Sequence, residues 1–133
     1  MKATDLMIGD WVMTGIDIAQ VAAIDERGIY VDDPISTCLV HVDFRFVKPI
    51  LLTGEILKKN GFKLVTLKDS TIQIHDWLAY RDVFTMCCLL YDKIYEFYNL
   101  ILSDNDNKII HIFCVHELQH AMRVCGIKKE IEL

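Results

Sequence analysis

Five consecutive residues, His116-Glu117-Leu118-Gln119-His120, have the types and spacing of a metal-hydrolase helix. Two histidines four apart share one helical face and can hold a zinc ion, and a glutamate beside the first can serve as general base to a metal-bound water. A catalytic zinc ordinarily needs three protein ligands and one open position. Only thirteen residues follow His120, and their donors are Cys125, Glu130 and Glu132. Cys125, five positions on, is turned well away from the histidine face at about 100° per residue. The two glutamates reach back only if the tail folds over at Gly126.

Upstream, His75, His111 and Cys114 are suitable donors. A terminal metal helix with an upstream cysteine resembles the peptide deformylase arrangement, but the glycine-rich and cysteine-bearing segments of that family are missing from this chain. The same helix is also explained without a metal. Val115, Leu118, Met122 and Cys125 recur at i, i+3, i+7 and i+10, with Ala121 widening the stripe, as in a helix docked on a sheet. His116 then stands at the flank, as a cap or in contact with solvent, and His120 pairs with a neighbouring acid. Structural use of this helix is the expectation. A zinc-dependent hydrolase built on His116, Glu117 and His120 is the alternative, and no catalytic residue, metal ligand or cofactor site is assigned.

Other groups that could do chemistry have simpler uses. Asp104-Asn105-Asp106-Asn107-Lys108 echoes the start of a calcium loop, but Lys108 falls on a ligand position and Ile109 replaces the turn glycine, so a hairpin turn is expected. Cys87 and Cys88 are adjacent, and neighbours in a strand point to opposite faces, which disfavours a bridge. Tyr91, Tyr95, Phe97 and Tyr98 could stack on bases, yet Lys93 and Arg81 are the only cations near them. Core or interface packing is the expectation there. Trp11 and Trp77 suit a sheet edge as well as a ligand groove.

The 133 residues are 53% hydrophobic, enough for one respectable core or two compact lobes sharing it. Despite a mean hydropathy of +0.27, no run approaches the roughly 18 apolar residues of a membrane span. The opening Met1-Lys2-Ala3-Thr4-Asp5 meets an acid before a signal-peptide core could develop. Five cysteines without Cys-x-x-Cys spacing suit a reducing compartment. A cytoplasmic protein is expected. Its net charge of -5 argues against a nucleic-acid partner. Residues 1 to 53 carry eight acids and four bases, and residues 54 to 133 eleven and ten, so neither part is a basic platform.

Five short strands are expected first: 11–13, 18–24, 29–31, 38–44 and 46–47. Their spacing suggests a small, strongly bent, SH3-like β-barrel over residues 1 to 50. Thr53 is placed to cap a short helix over 54–60 that Gly61 ends. A hairpin follows, 62–67 and 71–77 around Lys68-Asp69-Ser70. Residues 83–102 are expected to form two strands turning at Asp92-Lys93, because aromatic and β-branched residues dominate their second half. A last strand over 108–113 leads to the helix at 115–125, closed by Gly126. The fold class is therefore α+β: the barrel lobe, then a mostly antiparallel sheet with one short and one C-terminal helix at 51–133, the two possibly one continuous domain.

Three segments, 1–12 with Ile8-Gly9-Asp10-Trp11-Val12, 49–62 with Pro49-Ile50-Leu51-Leu52-Thr53-Gly54-Glu55-Ile56-Leu57, and the closing Val115-His116-Glu117-Leu118-Gln119-His120, together resemble a family of small uncharacterised proteins from gut-anaerobe genomes and their phages or mobile elements. That family's closing segment reads V-H-x-L-Q, with other residues often standing where Glu117 and His120 stand here. The resemblance therefore weighs against zinc chemistry and implies no activity, ligand or site residue. The expected function is a non-catalytic protein-binding or assembly module of a mobile element or phage, joined to a protein partner or to a second copy of itself, with no membrane.

Overall fold

A computed structural model describes residues 1–15, 17–33, 35–65, 77–82, 87–101 and 109–133. The protein is α+β, with two five-stranded antiparallel sheets and two α-helices among the described residues. It divides into two compact units, one of residues 1–51 and 114–120, the other of residues 52–113 and 121–133. A cut of the chain at residue 50 would leave out the return of 114–120 to the first unit.

In the first unit the strands are β1 (Trp11–Met13), β2 (Ile18–Ile24), β3 (Gly28–Asp32), β4 (Leu39–Asp43) and β5 (Lys48–Pro49), in the order β4-β3-β2-β1-β5. β1 and β2 fall on their expected bounds, and a register shift between Val21 and Ala23 bends β2. Alternation along the strands puts Val12, Val21, Ile29 and Val31 into one cluster with Leu6 and Val47. No closed barrel is formed by the described strands.

A strand expected at 46–47 is absent. Phe44–Phe46 instead makes a 3-10 turn, because the Asp43 side chain accepts the Arg45 N–H at 3.0 Å and caps it. β5 follows directly and pairs Val12 with Pro49 and Met13 with Lys48.

The second unit holds α1 (Gly54–Lys59) and β6 (Phe62–Val65), β7 (Trp77–Asp82), β8 (Cys88–Asp92), β9 (Phe97–Ile101) and β10 (Ile110–Ile112), in the order β10-β9-β8-β7-β6. The Thr53 hydroxyl caps α1 by accepting the Ile56 N–H, and Gly61 ends it at φ +82°. The expected strand at 71–77 and its turn at 68–70 lie outside the described residues, apart from Trp77. There β7 begins and runs on to Asp82, with Val65 opposite Ala79 and Phe62 opposite Asp82. β8 and β9 confirm two strands rather than a helix, and the turn between them is set by Asp92, whose Oδ1 accepts the N–H groups of Ile94 and Tyr95.

α2 (Val115–Val124) buries Val115, Leu118 and Met122 completely, the stripe that the sequence spacing marks out, and Gly126 follows at φ +71°. In the second unit the tail is held down: Asn60 accepts the Glu132 N–H and donates to the Glu132 carbonyl, Ile131 is buried, and Lys129 reaches the buried Asp82 at 3.1 Å. None of the helices among the described residues is long and apolar enough to cross a membrane.

Candidate functional site

The five residues His116 to His120 all lie in the first unit, and the way α2 is started decides what each can do. Cys114 bridges to Leu51, and the Val115 N–H donates to the Ile50 carbonyl at 2.9 Å. Glu117 then occupies the third position of the helix, and its Oε2 accepts the Cys114 N–H at 3.0 Å. This is half of a capping box: a carboxylate spent on a backbone donor that the helix cannot satisfy internally.

Gln119 bridges to the turn before β1. Its Oε1 accepts the Trp11 N–H and its Nε2 donates to the Gly9 carbonyl, each at 3.0 Å. His120 meets the acid of the same turn, with Nε2 2.6 Å from Oδ2 of Asp10, which is fully buried and also accepts the Met7 N–H at 2.7 Å. A carboxylate oxygen only accepts, so the tautomer that makes this bond donates from Nε2 to Asp10.

His116 departs from expectation. It neither caps the helix nor faces solvent: it is 6% exposed, and among the described residues its Nδ1 has no hydrogen-bond partner. Burial lowers its pKa, against the opposing pull of the Glu117 and Asp10 charges, so the neutral imidazole is favoured. The two histidine rings do share a face, with centroids 5.8 Å apart at 78°. They line a cleft of about 380 Å³ with Met1, Asp5, Pro49, Cys114 and Glu117. The Cys114 thiol there is pushed up to about 11, by burial first and by the Glu117 charge second, so it is no nucleophile at neutral pH.

Among the described residues no three His, Cys, Asp or Glu side chains are grouped to hold a metal ion. Of the donors suggested by sequence, His111 bonds Asn99 at 2.8 Å in the second unit, Glu132 is tied by its backbone to Asn60, and His75 lies outside the described residues. The loop at 104–108 lies outside them too. Among the described residues no disulfide joins any of the five cysteines, Cys87 and Cys88 included. In the second unit Tyr98 is buried against Tyr91, with centroids 4.7 Å apart, while Tyr95 is 71% exposed.

A second feature of the first unit carries no sequence motif. A groove of about 520 Å³ runs between the β1–β2 turn at Thr14 and Gly15, four successive residues of β4 (Val40, His41, Val42 and Asp43), and Phe46 of the 3-10 turn. Val40 and Phe46, 44% and 51% exposed, give it an apolar lining. Just before β3, Asp25 accepts the N–H groups of Arg27 and Gly28, and the first of these bonds does most to hold its carboxyl down at about 2. Alternation along residues 38–44 puts Val40 and Val42, with Cys38 and Phe44, on one apolar side of a strand. That they border a groove depends on Phe46, which the 3-10 turn brings to β4.

No protein-family model matches the chain, and neither a curated protein nor a solved structure is similar to it.

Proposed function

We propose that this is a non-catalytic protein-binding module, working in the cytoplasm, that docks a partner protein in the groove beside β4. The observation that carries this is the pair of half-exposed apolar side chains, Val40 and Phe46, set with Val42 in a concave surface that Thr14, His41 and Asp43 border with polar groups. The cleft at the histidines supports it from the other side: Glu117, Gln119 and His120 are each engaged by the protein's own backbone or by Asp10. The first unit reads as SH3-like, since the order β4-β3-β2-β1-β5 with a 3-10 turn between β4 and β5 is that of a small barrel opened between its last two strands. The resemblance of the opening, central and closing segments to proteins of phages and mobile elements fits an assembly role there.

Twelve-residue peptides selected from a displayed random library on the full chain, then synthesised and titrated by fluorescence anisotropy, test the reading. Phe46→Ala should weaken the selected peptides about tenfold, the loss expected for truncating an aromatic contact. No selectable peptide, or affinities indifferent to Phe46→Ala, overturns it. Near-stoichiometric zinc in protein purified without chelator, lost in His116→Ala and His120→Ala, would restore the hydrolase reading.

A further inference from the structure

β4 is the end strand of its sheet: among the described residues it pairs with β3 alone. In an antiparallel pair the residues alternate between those whose N–H and C=O face the partner and those whose groups face away. The ends of the β3–β4 ladder fix the phase. Asp33 donates to the Cys38 carbonyl, and Phe44 donates to the Arg27 carbonyl. Residues 38, 40, 42 and 44 therefore turn their backbone groups toward β3. Leu39, His41 and Asp43 turn theirs outward.

The groove lies along that outward edge. It is lined by four consecutive residues, Val40 to Asp43, and consecutive residues of a strand project to opposite faces, so a surface touching all four touches the backbone edge between them. An occupant would meet a row of peptide groups as well as the apolar side chains of Val40 and Phe46. Small rigid apolar ligands cannot satisfy such a row; an extended polypeptide can, by adding a strand.

Resting on the docking role proposed above, we infer that the groove takes an extended segment of a partner protein as a sixth strand beside β4, with apolar β-branched residues at alternate positions and basic residues flanking them. Five residues of strand span about 17 Å. Asp43 ends β4, and Asp32 stands opposite Leu39 at its beginning, so acids mark both ends of the apolar row. The segment 1–53 is net -4, eight acids against four bases, which favours cationic flanks.

The selected peptides decide this separately from the docking role. Their sequences should alternate β-branched with other residues between Lys or Arg, and amide exchange of Leu39, His41 and Asp43 should slow at least about tenfold on saturation, while Val40 and Val42 stay as protected as before. His41→Pro removes one outward N–H and should abolish binding, whereas His41→Ala, which loses the same imidazole and keeps the N–H, should retain it. Unchanged exchange at 39, 41 and 43 overturns the inference whether or not the proline variant folds. Weakening by Phe46→Ala with no difference between the two His41 variants leaves the docking role standing and removes the added strand. Proline-rich or acidic peptides overturn the partner chemistry. So does a concentration-dependent dimer in sedimentation that His41→Pro abolishes, which would assign the edge to a second copy of the chain.

Discussion

His120→Ala removes the imidazole that faces Asp10 across 2.6 Å, and the cost follows from where the two groups sit. The Asp10 side chain is fully buried, while that of His120 is 22% exposed. Deleting one partner of a fully buried charged pair costs about 3–5 kcal/mol, because the other charge stays in a poor solvent. The open side of His120 lets water take part of that burden, so about 2–3 kcal/mol is expected. Asp10→Asn keeps an acceptor for the Met7 N–H but loses the charge, for about 1–2 kcal/mol. If the two residues act on each other, the double variant should cost about 1–2 kcal/mol less than the two single costs added together. Urea unfolding checks this in a Trp77→Phe background, where emission reports on Trp11, whose N–H is held by Gln119 beside Asp10 in the same unit. With a slope of about 1.5 kcal/mol per M, the midpoint of His120→Ala should fall by about 1.3–2 M. A coupling within about 0.3 kcal/mol of zero would refute the assignment of His120 as the counterpart of a buried acid.

Two further outcomes follow from the same unit. His116 has a folded pKa below its ordinary 6.5, so below that pH the unfolded chain binds a proton that the folded chain resists. Its contribution is therefore constant at neutral pH and lost as pH falls through 6.5, by up to about 1.4 kcal/mol per pH unit. His116→Leu should flatten the urea midpoint between pH 7 and 5; an unchanged slope would mean that His116 is not buried neutral. Maleimide labelling at pH 7.5, read by peptide mass mapping, should modify exposed Cys38 first and leave Cys114, with its thiol pushed up to about 11, and buried Cys87 until last. Rapid labelling of Cys114 would contradict the geometry of the histidine cleft.

What could be read from the sequence was local. Val115, Leu118 and Met122 announce their helix by spacing, Thr53 and Gly61 bracket α1, and β1 and β2 are bounded by polar and glycine turns. What could not be read depends on partners far along the chain. His120 finds its acid 110 residues away, in a turn that gave no sign of holding a buried carboxylate. β7 cannot be read past Trp77 from the sequence, because it ends on a buried aspartate, Asp82, made tolerable by Lys129 from the tail. Phe46 is strand-like by type, but Asp43 closes a 3-10 turn and swings it to the side of β4. The groove therefore has no motif: each of its residues is ordinary, and only their arrangement is informative.

The glutamate of the H-E-x-x-H pattern shows most directly how one sequence serves two physical ends. With Val115 as the first helical residue, Glu117 falls on the third, the position from which a side chain can reach back to the residue before the helix. Its Oε2 does so, 3.0 Å from the Cys114 nitrogen. Glutamine can make the same bond without the charge, losing only the attraction to the helix N-terminus, about 0.3–1 kcal/mol. Alanine loses both that and the bond, for about 1–2 kcal/mol in total. Urea midpoints should therefore rank wild type above Glu117→Gln above Glu117→Ala. A general base has no such gradation, since an amide cannot take a proton from water at neutral pH and would fail as completely as alanine. Equal stability of the two variants would show that the bond to Cys114 contributes nothing, and would leave the carboxylate free for other work.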